Sequence, residues 1–237
     1  MSKKVLVVAA HIGDFVWRCG GTIAKYVKDG ARVRLVVLTY GIRGEMNSYW
    51  KKADANIEEA KHIRHTEGMR AAEILSIEKV EVLDYEDYPL DLTSERVLVL
   101  AEMIREFSPD IILTHDSECD PYNTDHTKVG EKIHEAISAA SAAGVFLNGL
   151  APVKRPKVFG FEPHVAEISN FKPHIYIDIT DVHEIKERAM KSYESQGGMF
   201  DMYLNRARIR SQQSNKGKYA EAFAINGSLT NQEFLVD

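Results

Sequence analysis

The chain predicts an α/β fold, a doubly wound and mainly parallel sheet flanked by helices, on three observations. Short runs rich in Val, Ile and Leu alternate with longer helical patterns through the first half. Those runs lack the apolar–polar alternation of a half-exposed strand, so they read as strands buried on both faces. Glycine or proline stands where several of the intervening helices should stop. A βαβα order of this kind implies right-handed crossovers between parallel neighbours.

In chain order, the first strand is predicted over residues 5–9 and the first helix over 16–28, with Gly30 as its stop. A strand over 33–39 and a helix over 57–75 follow. The third strand covers 80–83, and the helix after it, 94–107, is halted ahead of Pro109. The fourth strand is 111–114, and its helix starts near His126 and runs to Ala143. A Gly/Pro-punctuated stretch, 144–156, leads to two more apolar runs at 158–161 and 175–179. Asp181 is placed to cap a helix ending near Tyr193, and a polar helix covers 200–214. With no repeat, low-complexity tract or clear linker, residues 1–237 read as a single domain with an elaborated C-terminal part.

Composition narrows the function. A chain of 237 residues, 44% hydrophobic and 27% charged, can bury a sizeable core. A net charge of -5 excludes a nucleic-acid or anionic-membrane partner, which needs a basic face. A small anionic substrate stays open, since a few local arginines suffice for it. Cys19 and Cys119 have neither zinc-finger nor CxxC spacing and imply no disulfide framework. The apolar run at 5–10 is too short for a signal-peptide core or a membrane span, so the expected location is cytoplasmic.

Ligands of open α/β sheets gather beyond the carboxyl ends of the strands. His11 and Asp14 follow the first predicted strand; Tyr40, Arg43 and Glu45 follow the second. Tyr85 to Asp87 follow the third; His115, Asp116, Asp120, Asn123, Asp125 and His126 follow the fourth, and His164 the fifth. His11-x-x-Asp14 can present two ligands from one tight turn, and His126 would complete three. Three nitrogen and oxygen ligands with no thiolate leave a position open, the pattern of a catalytic rather than a structural zinc. Each residue also has an ordinary use: His11 as a strand-end histidine bonded to backbone, Asp14 and Asp125 as helix caps, His126 as a helix-start residue. A dinucleotide-binding turn is rejected, because G-x-G-x-x-G is absent and His11, Phe15 and Trp17 stand where backbone must approach a pyrophosphate. Gly20 and Gly21 are read as close helix-to-sheet packing.

The segments Ala10-His11-Ile12-Gly13-Asp14-Phe15 and Cys19-Gly20-Gly21-Thr22-Ile23-Ala24 resemble the opening motif, A-H-P-D-D-E followed by G-C-G-G, of the LmbE-like (PIG-L) zinc-dependent N-deacetylases. Arg64-x-x-Glu67, Pro109-Asp110, Asn123-Thr124-Asp125-His126, Glu194-Ser195-Gln196 and Ala220-Glu221-Ala222-Phe223 extend the resemblance over nearly the whole chain. It implies a Rossmann-like fold of that family's type and a metal, Zn2+ or another divalent ion, on His11, Asp14 and His126. It also implies a homo-oligomer. The departures are informative. The family's general-base aspartate is here Gly13, its motif glutamate is Phe15, and the histidine that opens H-P-D-H is Asn123.

A branch of the family shares the altered pattern. The stretch from Asp14 to Gly21, Tyr40-Gly41-x-Arg43-Gly44-Glu45, Asp87-Tyr88-Pro89-Leu90 and Phe161-Glu162-Pro163-His164 are similar to the 4-oxalomesaconate (4-carboxy-2-hydroxymuconate) hydratase branch of gallate and protocatechuate catabolism. That implies addition of water to an activated carbon–carbon double bond of an unsaturated oxo-carboxylate. Glu45 and His164 are then the proton-transfer candidates, their order left open. Arg43 and Arg64 are candidates for carboxylate recognition, with Tyr40 and Asn123 also placed at the substrate and Asp116 and Asp125 behind the ligands. The first rival is a zinc-dependent N-deacetylase of an amino sugar or related amide, which needs another carboxylate in place of Gly13. The second is a non-catalytic metal-binding relative.

Overall fold

The computed structural model describes residues 2–117 and 120–225; Cys119 and the last twelve residues lie outside the described part. A seven-stranded sheet runs in the order β3-β2-β1-β4-β5-β7-β6. Its parallel part comprises β1 (Lys4–His11), β2 (Arg32–Thr39), β3 (Lys79–Tyr85), β4 (Ile111–His115) and β5 (Lys157–Phe161). The edge is antiparallel: β7 (Ala220–Ile225) pairs with β5 on one side and β6 (Ile175–Asp178) on the other. The doubly wound, mainly parallel sheet read from the sequence is therefore present.

Alternation along β1 divides the core. Val5, Val7 and Ala9 join a cluster with α1 (Asp14–Lys28), α3 (Ile57–Ile74) and α6 (His183–Met190). Leu6, Val8 and Ala10 face the other layer, α4 (Ser94–Phe107) and α5 (Thr124–Ser141). Strand order reverses between β1 and β4, so the crevice beyond their carboxyl ends is the switch point where such folds bind ligands.

Two local expectations are corrected. Asp181 does not cap a helix: its carboxylate pairs with Lys25 and Lys28 of α1, the helix begins at His183 after Val182, and it ends at Met190, short of Tyr193. A 3-10 turn, Glu194–Met199, then leads into α7 (Phe200–Ser214). The loop after β2 also forms a short helix that periodicity does not reveal, α2 (Ile42–Glu45).

The first helix is broken at Cys19, whose φ of -140° and ψ of 17° are not helical. The break frees backbone groups, and a buried ion pair takes them up. Glu221 of β7 accepts from Gly21 N–H at 2.9 Å and Thr22 N–H at 2.7 Å. Lys186 of α6 donates to the Trp17 carbonyl at 3.0 Å and to Glu221 at 2.6 Å. Gly21 packs so tightly that a Cβ there would lie 2.6 Å from Ile179, whereas one at Gly20 would meet Lys186 at an ordinary 3.5 Å, so the close packing read from Gly20-Gly21 holds for Gly21 alone. Glu221→Ala would leave the Lys186 charge buried and two N–H groups unpaired. It should lower the unfolding free energy by about 3–5 kcal/mol in chemical denaturation.

Candidate metal centre

Four elements bring side chains to the switch point. His11 is the last residue of β1, Asp14 opens α1, Glu45 closes α2 and His126 lies in the first turn of α5. Neither aspartate in these turns is used as a cap. The α1 N-terminus has no side-chain cap, and α5 is capped by Asn123, which accepts from Asp125 N–H. Glu45 is placed by Asp87, whose carboxylate accepts from the N–H groups of Arg43 (2.8 Å) and Gly44 (3.0 Å).

The inward atoms converge. His11 Nδ1 lies 3.1 Å from His126 Nε2, 3.3 Å from Glu45 Oε1 and 3.5 Å from Asp14 Oδ2. His126 Nε2 is 3.4 Å from Asp14 Oδ1. One ligand-type atom from each of His11, Asp14, Glu45 and His126 falls within 4.8 Å of all the others. The outward nitrogens face carboxylates: His126 Nδ1 is 3.0 Å from Asp120 Oδ2, and His11 Nε2 is 3.6 Å from Asp125 Oδ2. His126 Nδ1 also meets Arg18 Nη2 at 3.1 Å, and Asp125 stands behind His11 Nε2 beyond hydrogen-bond distance; a carboxylate behind each ring is the usual support of a metal-bound histidine. Two imidazole lone pairs and two carboxylates in a buried pocket fit a divalent cation.

The electrostatics agree. Burial opposes a charge on His11, yet Glu45, Asp125 and Asp14 outweigh it and raise its pKa well above the ordinary value. Burial likewise disfavours charged Asp14, but His126 beside it holds its pKa well below the usual carboxylate range. Glu45 is lowered too, with His11 and Arg64 overcoming burial. Asp125 falls to about 2: burial is outweighed by His11 and by the N–H groups of Tyr88 and Leu90. The pocket is built to receive positive charge.

The other residues singled out in the sequence divide by place. Asn123 Nδ2 is 3.0 Å from His126 Nε2, beside the inward atoms. Asp125 lies behind His11, while Asp116 is buried at the end of β4 and is not one of the four converging residues. Arg64 is fully buried and committed to protein partners: Tyr40 O, Ser195 Oγ, Gln196 Oε1 and Glu45 Oε2. Arg43 turns to the β3–α4 loop, where it meets Glu86 and the Asp87 carbonyl. Tyr40 points its hydroxyl toward His65 at 3.5 Å. His164 stands after β5 with Nδ1 3.4 Å from the Tyr203 hydroxyl, its backbone fixed by Arg206.

His115 and Asp120 were placed at the mouth after the fourth strand without a role, and Arg18 and Gln196 only within family motifs. Asp120 supports His126, and His115 stacks on it at 4.2 Å between ring centroids while accepting from Ala10 N–H. Burial, then His126, pushes the His115 pKa down to about 3, so this ring stays neutral. Arg18 ties Asp14 to the Glu162 carbonyl. Gln196 reaches Arg64, Trp17 and Glu45 from the far end of the chain. Only the triplet Glu194-Ser195-Gln196 hinted at that last contact.

Fold and site together define a metal-dependent class of α/β enzyme, and comparison with known proteins makes it specific. Residues 6–137 match the PIG-L family, described as GlcNAc-PI de-N-acetylase, and the chain belongs to that family. It is 36% identical over 214 residues to the 4-oxalmesaconate hydratase of Pseudomonas putida, covering 90% of this chain and 82% of that protein. The crystal structure of GalB, the 4-carboxy-2-hydroxymuconate hydratase of the same species, superposes with a TM-score of 0.92 at 33% identity, over 98% of this chain and 99% of that one. The diacetylchitobiose deacetylase of Thermococcus kodakarensis is 33% identical over 201 residues, 82% of this chain and 70% of that protein.

Asp125 supplies the prediction for this site. Asp125→Ala should weaken divalent-metal affinity about 10–100-fold by freeing the His11 ring, as read by calorimetric titration with Zn2+ or Co2+. An unchanged affinity would show that Asp125 only secures the loop carrying Tyr88 and Leu90.

Proposed function

We propose that the chain is a metal-dependent hydratase that adds water to a carbon–carbon double bond of an unsaturated oxo-carboxylate such as 4-oxalomesaconate. The observation that carries this reading is the Glu45 carboxylate, held at the centre while position 13 offers no carboxylate at all. The hydratase relatives, alike over nearly the full chain, support it. In this reading His11, Asp14 and His126 hold the metal, taken to be zinc from the nitrogen and carboxylate donor set. Bound there, it would supply Lewis acidity toward an oxygen of water or substrate.

The chain's own residues handle the proton. Glu45, with its lowered pKa, is ionised at neutral pH and takes a proton from water. His164 is neutral there, because burial and the charges of Arg18 and Arg206 push its pKa down to about 4. Both groups start without the proton. The proton removed by Glu45 is therefore the one available for the neighbouring carbon, and His164 carries it. Arg43, whose side chain is 42% exposed, remains as a cation for a substrate carboxylate, whereas Arg64 serves by holding Glu45. Asn123 and Tyr40 are read as lining the substrate space.

The deacetylase reading is retained as the rival, because Glu45 could serve an amide as well and a deacetylase relative is 33% identical. Metal-loaded protein should consume 4-oxalomesaconate, followed by absorbance, and release no acetate from a panel of N-acetyl sugars. Acetate release that is abolished by chelation, without hydration, would overturn the proposal in favour of the rival.

Glu45→Gln and His164→Asn should each lower turnover by roughly two to four powers of ten while metal content, measured by elemental analysis, is retained. Retained turnover would remove either residue from the proton path. The pH profile follows from the directions of the shifts. Both groups must start the cycle deprotonated and both pKa values are depressed, so activity is present above the folded-state values and is lost as pH falls through them. The acid limb of kcat/KM should thus lie toward pH 4, where His164 titrates, rather than near 6.5, the ordinary histidine value.

A further inference from the structure

Gly13 precedes α1 with φ -88° and ψ -23°, a conformation open to any residue, so its backbone does not require glycine. Its surroundings do. A Cβ at position 13 would lie 2.7 Å from Gln196 Oε1, 3.1 Å from Arg64 Nη2 and 3.1 Å from Trp17 Nε1. These atoms belong to one network. Gln196 Oε1 accepts from Arg64 Nη1 at 2.6 Å and from Trp17 Nε1 at 3.2 Å. Gln196 Nε2 donates to Glu45 Oε2 at 3.2 Å, and Arg64 Nη2 donates to the same oxygen at 2.8 Å.

The segment bearing Gln196 is itself anchored. Glu67 accepts from both the N–H and the hydroxyl of Ser195, at 2.8 and 2.5 Å. Arg64 and Glu67, one turn apart on α3, therefore grip consecutive residues of the turn before α7. With Oε2 gripped by two donors, Glu45 presents Oε1 to His11. A side chain at position 13 would push on both donors at once.

We propose that position 13 is a specificity determinant of this site: its missing side chain is the seat of Gln196, and Gln196, a positioning residue, together with Arg64 aims the Glu45 carboxylate into the centre. This deepens the hydratase reading, yet its steric core stands without it. The volume beside α1 that a residue 13 side chain would fill is taken by a side chain from the C-terminal part. Positions 13 and 196 are thereby coupled, so neither can change alone without moving Glu45.

A double-mutant cycle tests this on the full-length, Zn2+-loaded protein, with thermal midpoint and steady-state hydration of 4-oxalomesaconate as readouts. Gly13→Ala should lower Tm by roughly 3 °C or more, through overpacking against Gln196. The same change in the Gln196→Ala background should cost nothing or raise Tm, since alanine suits this backbone. Gly13→Ala and Gln196→Ala should each cut kcat about 10–100-fold, the loss expected when a reacting group is misplaced by about 1 Å, with KM nearly unchanged. The double variant should be no slower than Gln196→Ala. Additive Tm losses, or a Gly13→Ala protein with native Tm and native kcat, would overturn the proposal. Should the native chain hydrate no oxo-acid, the functional reading falls and the Tm cycle still decides the coupling of positions 13 and 196.

Discussion

Two imidazole nitrogens, His11 Nδ1 and His126 Nε2, face each other across 3.1 Å with carboxylates on both sides. Burying that much ionisable chemistry is costly unless each group has a partner, and much of the surrounding architecture supplies those partners. Asp120 holds the outward nitrogen of His126, Asp125 stands behind that of His11, Arg18 holds Asp14, and Arg64 with Gln196 holds Glu45. The sheet contributes by ending β1 and β4 at the switch point, and α5 by presenting His126 in its first turn.

Loops that look like surface connections are part of the same support. Asp87 pins the backbone of α2 and so places Glu45. Asp125 accepts from the N–H groups of Tyr88 and Leu90 while its Oδ2 faces His11, so the loop after β3 and the first strand are tied to one carboxylate. The segments Tyr40 to Glu45 and Asp87 to Leu90 are thus two halves of one clamp. Farther out, the Lys186–Glu221 pair steadies the broken α1 behind Asp14 and Arg18.

The sheet was legible because strands buried on both faces read as unbroken apolar runs, and all five parallel strands fall where those runs lie. The convergence of His11, Asp14 and His126 was legible because strand ends and helix starts meet at a predictable mouth. The last strand escaped notice: Glu221 interrupts its apolar pattern, and only the fold shows that this carboxylate caps a broken helix. Arg64, read as a contact for a substrate carboxylate, instead holds Glu45 and Gln196, and that role was hidden for a related reason. An arginine on a helix looks like a surface ion-pair partner until the fold brings residue 196 against it. Asp14 and Asp125 looked equally suited to capping, and only the fold shows that neither side chain caps its helix.

The account rests on a metal centre made by residues from the first and fifth helices and the first strand. Anomalous diffraction from crystals of the zinc-loaded protein, collected on both sides of the zinc absorption edge, tests it most directly. The account predicts one strong peak about 2.0–2.2 Å from His11 Nδ1, an Asp14 carboxylate oxygen and His126 Nε2. A fully occupied peak elsewhere, with His11 and His126 still bonded to each other, would contradict it.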